Sequence, residues 1–127
     1  MSQKTASVNS ELIHNSRILD VRELAPKIYR TRFHNPIIAQ NSHAGQFINI
    51  KVSSDNNPLW RRPFSIHQTN ANEGWADILF KVIGKGTELL SRKKPSDILD
   101  FIGPLGNNFV FEQNSVKQAF MVAGGLG

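Results

Sequence analysis

Apolar and polar residues alternate in six short runs along the chain, and turn-forming residues such as Gly, Pro, Asn and Ser separate the runs. Alternation with a period of two places successive side chains on opposite faces of a strand, so that one face can cover a core. Many short strands separated by turn residues are typical of an antiparallel barrel or sandwich. The six predicted strands are 16–24, 27–33, 45–52, 62–67, 75–83 and 96–102.

One short helix is predicted between the fifth and sixth strands, over residues 88–93. Thr87 is its predicted N-cap, and Pro95 ends it, since proline lacks the amide that would continue the helix. An acidic residue at its start and basic residues near its end suit the helix dipole. We expect Leu89 and Leu90 to plug one end of the barrel.

The last residues predict a buried strand over 119–123 that runs into a turn containing Gly124, Gly125 and Gly127. A phosphate-binding turn of this type needs a helix behind it, whose N-terminal amides face the anion. No helix follows within the chain, so we expect the chain to be the first part of a longer two-domain protein. The predicted organisation is a disordered segment over 1–13, a barrel domain over 14–115 and the start of a second domain over 116–127.

The composition is that of one compact globular domain. The chain has 127 residues, of which 39% are hydrophobic and 20% charged. No apolar run approaches the ~20 residues needed to cross a bilayer, and the first ten residues lack the apolar centre of a signal peptide. The absence of cysteine excludes disulfides and thiolate-bound zinc or iron–sulfur sites within this chain. We therefore predict a cytoplasmic protein with no membrane partner.

The net charge of +5 permits nucleic acid or a phosphorylated cofactor as a partner, but it also serves ordinary solubility. The basic residues are spread along the chain, and no long basic tract with interleaved aromatic residues occurs. We predict no nucleic-acid partner.

The start of the fourth strand, 61–66, carries residue types that suit a nucleotide cofactor. Arg62 has a planar guanidinium that can bind a diphosphate, and Pro63 suits a strand start. Phe64 shares a strand face with Arg62 and offers an apolar surface to a flat ring, while the Ser65 hydroxyl can bond a ring nitrogen. Taken alone, this segment is better explained as an ordinary strand with a solvated arginine and a core phenylalanine.

Two glycine-containing segments follow. Gly84 and Gly86 precede a predicted helix that Thr87 caps, and the amides of such a turn attract phosphate. A plain strand-to-helix turn explains these glycines as well. The segment 103–109 predicts a tight double turn, which alone says nothing about function.

The remaining polar residues indicate no metal site or catalytic pair. Asp97 and Asp100 are three positions apart on a predicted strand and therefore lie on opposite faces. The four histidines lack metal-ligand spacing and are interpreted as surface or strand residues; they are His14, His34, His43 and His67.

The order of these segments resembles that of the ferredoxin–NADP reductase superfamily. An Arg-x-aromatic-Ser motif, a Gly-x-Gly-Thr turn, a Gly-Pro-Leu-Gly turn and an Ala-Gly-Gly-x-Gly turn follow one another over 16–127. The amino-acid sequence at 61–66, 84–90 and 103–107 is most similar to that of the electron-transfer subunits of NAD-linked dihydroorotate dehydrogenases. One departure is Phe64, where the superfamily usually has tyrosine; a hydroxyl contact is lost and stacking is kept.

The resemblance implies a six-stranded antiparallel Greek-key barrel with one short capping helix, which binds FAD at its rim. It implies that Arg62, Gly86 and Thr87 hold the pyrophosphate, and that Ser65 is the catalytic residue beside the redox nitrogen of the flavin. The other implied cofactor-binding residues are Pro63, Phe64, Leu79, Phe80 and Lys81, with Gly124, Gly125 and Gly127 opening an NAD-binding domain.

The implied function is electron transfer between NAD(H), FAD and a [2Fe–2S] cluster for a catalytic dihydroorotate dehydrogenase subunit of pyrimidine biosynthesis. The NAD and cluster sites would belong to the full-length protein only, so that this chain alone is an incomplete oxidoreductase. Two alternatives stay open: a sister reductase acting on ferredoxin, sulfide or a haem domain, and a cofactor-free β-barrel adaptor for an acidic partner. We expect this chain by itself to be disordered near its C-terminus or to self-associate there.

Overall fold

The computed structural model describes residues 12–53, 55 and 60–127. No helix in this part of the chain is long and apolar enough to cross a membrane. The elements in chain order are β1 Ile13–Ala25, β2 Ile28–His34, α1 Pro36–Asn41, β3 Phe47–Lys51, β4 Arg62–Asn70, β5 Trp75–Lys81, α2 Lys85–Ser91 and β6 Ile98–Leu105.

The six strands close into one barrel in the order β1-β2-β5-β4-β3-β6, and every neighbouring pair is antiparallel. The β2–β5, β3–β6 and β1–β6 pairs join strands that are not consecutive in the chain, as in a Greek key. The predicted six-stranded antiparallel barrel is confirmed. Because β6 pairs back onto β1, these strands leave no open sheet edge.

The inward face of the strands forms a single apolar core. Each fully buried Ile, Leu or Phe contributes about 1.5–3 kcal/mol relative to an exposed side chain. The core residues with no exposed surface include Phe33, Ile48, Ile50, Ile78, Leu90, Leu99 and Phe101.

Helix α2 begins at Lys85 and ends at Ser91, so the prediction of 88–93 started three residues late. Gly84 is the N-cap in place of Thr87, which lies in the first turn. The Thr87 hydroxyl accepts hydrogen bonds from the amides of Ile83 (2.9 Å) and Gly84 (3.2 Å), and therefore closes the turn from inside the helix. Leu90 is fully buried as predicted, whereas Leu89 is half-buried.

The prediction of a single helix was wrong, because α1 forms between β2 and β3. Asn35 is its N-cap, and the Asn35 side-chain oxygen accepts from the Ile38 amide at 3.0 Å. Pro36 occupies the first helical position, where its missing amide costs nothing. The Asn-Pro pair was a readable start signal, but the helix has only six residues and no clear apolar period.

The barrel begins earlier than predicted. Of the segment expected to be disordered, residues 1–11 lie outside the described part of the chain. The Leu12 carbonyl accepts from the Gly103 amide at 2.8 Å, and Ile13 pairs with Ile102. Leu12 and Ile13 therefore belong to the folded barrel.

The strand predicted over 119–123 does not form; these residues have no regular secondary structure. Phe120, Met121 and Val122 are 85%, 96% and 98% exposed. A strand needs a neighbour to pair with, and the closed barrel offers it no free edge. The prediction of a buried strand was wrong for this chain. The residue types of 119–123 favour a strand, but the described part of the chain has no strand with a free edge to pair with them.

Candidate functional site

The pairing of β3 with β4 decides which side chains of the predicted site face the barrel. Phe64 lies opposite Ile48 and Arg62 lies opposite Ile50, and both isoleucines are buried. Arg62 and Phe64 therefore share one face, as predicted, and that face is the inner one. Arg62 leaves the core because it stands at the open end of the barrel, at the first residue of β4.

Phe64 is half-buried at the edge of the core. Its ring meets the Phe80 ring edge-on, with centroids 5.7 Å apart and an interplanar angle of 67°. Phe80 is only 3% exposed and stacks on Tyr29 at 5.9 Å. The structure thus places the Phe80 side chain behind Phe64 as a support, and of these two rings Phe64 is the one that reaches the surface.

The outer face of β4 carries Pro63 and Ser65, both exposed. The Ser65 hydroxyl makes no hydrogen bond with any residue that the structure describes. Leu79 lies on the outer face of the adjoining strand β5, between the inward residues Ile78 and Phe80. Pro63 and Leu79 form an apolar part of this outer surface, and the Ser65 hydroxyl beside them is open to a ligand.

Two clefts run along β4. The first, here called the Ser65 cleft, has a volume of about 360 Å³. The second, here called the Arg62 cleft, has a volume of about 350 Å³. The Ser65 cleft is lined by residues 63–67 with Leu79, Leu126 and Gly127. The Arg62 cleft is lined by residues 62–64 and 83–87. Both clefts are lined by Pro63 and Phe64, so they adjoin at these residues, and the two clefts are together called the groove.

The Arg62 cleft has the donor set of a diphosphate site. The Arg62 Nη1 atom donates to the Trp60 carbonyl at 2.7 Å. Gly86 is buried, and a β-carbon built on it would lie 3.3 Å from Arg62 Nε. The guanidinium therefore lies across the first turn of α2. The amides of a first turn have no hydrogen-bond acceptor within the helix, because no helical carbonyl precedes them. A positive fork beside such amides fits a pair of phosphates.

The Thr87 hydroxyl does not point to a ligand in this arrangement. Besides accepting from two amides, it donates to the Gly84 carbonyl at 3.1 Å. Thr87 can therefore serve a phosphate through its backbone amide and by holding the shape of the turn.

The remaining predicted residues lie less close to the groove. Lys81 is exposed on the outer face of β5 and lines neither cleft. Gly127 lines the Ser65 cleft. Gly124 and Gly125 are exposed, and a β-carbon on either would meet no atom within 4 Å.

Sequence reasoning missed the role of His67 in the groove. The β4–β5 register shifts between Ile66 and Gln68, which leaves His67 as the extra residue of a β-bulge. His67 is exposed and lines both the Ser65 cleft and a smaller adjoining cleft of about 160 Å³ beside His43. No residue type in this strand signals a bulge, so only the pairing reveals it.

His14 is structural. It is 8% exposed, its Nε2 lies 3.1 Å from the Gly103 carbonyl oxygen, and its ring stacks on Phe101. Within residues 12–53, 55 and 60–127, no three histidine, aspartate or glutamate side chains cluster as metal ligands would.

Comparison with known proteins identifies the relatives of this chain. The dihydroorotate dehydrogenase B (NAD(+)) electron transfer subunit of Desulforamulus reducens is 40% identical over 115 residues, which are 91% of this chain and 44% of that protein. The corresponding subunit of Geobacillus thermodenitrificans is 36% identical, over 87% of this chain and 43% of its own length. The chain therefore spans less than half the length of these curated relatives.

Solved structures share the barrel. An NADH-dependent reduced ferredoxin-NADP oxidoreductase aligns with a TM-score of 0.68 and 32% identity, over 75% of this chain and 34% of its own. The ferredoxin-NADP+ reductase of Plasmodium falciparum aligns with a TM-score of 0.59 and 20% identity, over 76% of this chain and 39% of its own, and shows the fold alone. The family model for oxidoreductase FAD-binding domains matches residues 16–110. These matches confirm the resemblance inferred from the motifs, and the chain belongs to the oxidoreductase FAD-binding domain family of the ferredoxin reductase type.

Proposed function

We propose that FAD lies along β4, with its diphosphate in the Arg62 cleft and its ring system in the Ser65 cleft. The observation that carries this proposal is that the two clefts adjoin at Pro63 and Phe64 and differ in chemistry. One combines a guanidinium with a glycine turn, which suits phosphate. The other places Phe64 and Leu79 beside the Ser65 hydroxyl and His67, which offers a flavin ring both apolar contact and hydrogen-bonding groups.

Each proposed contact follows from the position of the residue. Arg62 binds the pyrophosphate with the first-turn amides at Gly86 and Thr87. Ser65 donates or accepts a hydrogen bond at a ring nitrogen. Leu79 and the exposed part of Phe64 provide apolar contacts, Phe80 supports Phe64 from behind, and Lys81 lies further along β5 toward solvent.

The flavin supplies the chemistry of exchanging hydride or single electrons, and the protein supplies binding, orientation and local electrostatics. Ser65 is the residue of this chain nearest to that chemistry. Its hydroxyl faces the cleft, and a hydrogen bond to a ring nitrogen orients the ring and stabilises one protonation state of that atom. Pro63 sets the strand start beside it and lacks an amide that would need a partner.

We further propose that the chain is the FAD-binding part of an electron-transfer subunit that serves a catalytic dihydroorotate dehydrogenase subunit in the cytoplasm. The support is 33–40% identity to eight such subunits, each matched over at least 84% of this chain. Residues 116–127 would then begin an NAD-binding domain at Gly124, Gly125 and Gly127. The NAD site and a [2Fe–2S] cluster would lie in the longer protein.

A second candidate is a reductase that exchanges electrons with ferredoxin. It is favoured by the 32% identity to the NADH-dependent reduced ferredoxin-NADP oxidoreductase. Assaying the longer natural protein with a dihydroorotate dehydrogenase catalytic subunit and, separately, with ferredoxin separates the two. Electron transfer with ferredoxin alone would refute the first candidate.

The cofactor proposal is tested by titrating the 127-residue chain with FAD and with FMN. We expect FAD to bind more tightly, because FMN carries a single phosphate and leaves part of the Arg62 cleft unused. Equal affinity for the two flavins would show that the Arg62 cleft holds no diphosphate.

A further inference from the structure

A buried carboxylate lies next to the proposed flavin groove. Asp77 is on the outer face of β5, two residues before Leu79, and yet it has no exposed surface. Its Oδ2 atom accepts hydrogen bonds from Arg32 Nε at 3.2 Å and Arg32 Nη2 at 2.9 Å. Its Oδ1 atom accepts from the Gln68 backbone amide at 3.0 Å.

The bond to Gln68 falls at the bulge in β4. Ile66 pairs with Ile78 and Gln68 pairs with Asp77, so His67 is the extra residue between them. A bulge disrupts the ladder locally and leaves backbone groups without their regular partners. The Asp77 carboxylate takes the place of a ladder carbonyl and fixes the strand immediately after His67.

The carboxylate is itself held from the other side. The Arg32 guanidinium carbon lies 3.4 Å above the centre of the Trp75 ring, which restricts its movement. Arg30 Nε is 4.0 Å from Asp77 Oδ2, while Arg30 Nη2 donates to Asp20 at 2.8 Å. Asp77 therefore connects a rigid β2–β5 cluster to one amide of β4.

A gain in folding stability does not by itself explain why a buried Asp77–Arg32 ion pair is present. Buried ion pairs often contribute no more than well-packed apolar side chains of the same volume, because both charges lose their hydration. The Asp77–Arg32 pair instead contacts the one irregular point of β4. His67 lines the Ser65 cleft, and Ser65 precedes it by two residues on the same strand.

We propose that Asp77 is a positioning residue that holds the His67 bulge and thereby sets the shape of the Ser65 cleft around the flavin ring. This inference rests on the proposed FAD site. It makes the environment of the ring depend on a charge pair that does not itself line either cleft.

The test is Asp77→Asn in the 127-residue chain, with FAD affinity and the visible circular dichroism of the bound flavin as readouts. The amide keeps an acceptor for Gln68, but its NH2 group cannot accept from Arg32, so the side chain loses one of its two anchors. We expect FAD affinity to fall by about tenfold, because the variant must order the His67 bulge when the flavin binds, whereas in the parent the Asp77–Arg32 pair already holds it. We also expect the flavin spectrum at saturation to change.

Asp20→Asn is the matched control. It removes a carboxylate that binds Arg30 and Arg22 in the same cluster but does not contact β4. Affinity and spectrum should stay within about twofold of the parent, as for other substitutions away from a site. If Asp77→Asn does not fold, Arg32→Lys decides, because it keeps the charge but loses the two-nitrogen contact; we expect it to change the spectrum in the same way, to a smaller extent.

The outcomes separate the two proposals. The positioning role alone would be overturned if the parent binds FAD and Asp77→Asn has the same affinity and spectrum as the parent. If Asp77→Asn is unfolded, the same result in Arg32→Lys would overturn it. Failure of the parent chain to bind FAD would overturn the proposed cofactor site and this inference with it.

Discussion

The side chain of Arg62 lies directly over Gly86, and a β-carbon on that glycine would come within 3.3 Å of Arg62 Nε and 3.4 Å of its Cγ. Gly86 is in the first turn of α2, where no positive φ requires glycine. Its role is therefore steric: it lets the guanidinium approach the amides of the helix start. This relationship joins the two segments that the sequence could link only by resemblance.

Gly86→Ala should weaken FAD binding without weakening the fold. Alanine is favoured over glycine in a helix by about 1 kcal/mol, so the free energy of unfolding should hold or rise. The added methyl displaces Arg62 by a few tenths of an ångström, and we expect a loss of affinity of about three- to tenfold, part of the value of a charge-assisted hydrogen bond.

Flavin titration and thermal unfolding of the same samples measure both effects. Gly124→Ala is the control, since a β-carbon there meets no atom within 4 Å and the residue lines neither cleft. If Gly86→Ala binds FAD as the parent does, Arg62 does not need its present position over the helix.

Arg62→Ala should cost about 1.5–3 kcal/mol of FAD binding, roughly a 10- to 150-fold loss of affinity, because a charge-assisted contact disappears. Arg61→Ala removes the same charge one residue earlier. Arg61 instead binds the Asp100 side chain at 2.9 Å, away from both clefts. Titration of both variants should show the large loss only for Arg62, and similar losses would indicate a general charge effect.

Ser65→Ala should change the reduction of the bound flavin more than its affinity. The hydroxyl is exposed and its proposed partner is the reacting ring, so its loss leaves no buried group unpaired. The measurements are the reduction potential and the affinity of the bound FAD. Ser115→Ala, at an exposed serine outside both clefts, is the control. An unchanged potential would remove Ser65 from the chemistry.

The sequence predicted the strands well because their alternation directly reports which face is buried. It also predicted that Arg62 and Phe64 share a face, since that follows from a spacing of two. It could not show that this face points inward, because the direction depends on the pairing with Ile48 and Ile50 on β3. Nor could it show the contacts of Asp77, whose partners Gln68 and Arg32 lie 9 and 45 residues away.

The errors have a common physical origin. Thr87 has the residue type of an N-cap, but the turn begins at Gly84, and the hydroxyl bonds back to it instead. The strand expected over 119–123 has a strand composition but no pairing partner in the closed barrel. At both places the residue types have the local preference that the prediction used, but the neighbouring hydrogen-bond partners decided which structure forms.

The apolar residues near the C-terminus should make this chain self-associate. Phe120, Met121 and Val122 are almost fully exposed, and such a run of high strand propensity can pair with a second copy. Sedimentation velocity over a range of concentrations should show a dimer or larger species for the parent chain. Deleting 117–127 should give a monomer, and so should replacing the three residues by serine, which keeps the chain length and the residues of the Ser65 cleft. A parent chain that stays monomeric at all concentrations would contradict the prediction, and association that persists in both variants would place the contact elsewhere on the barrel.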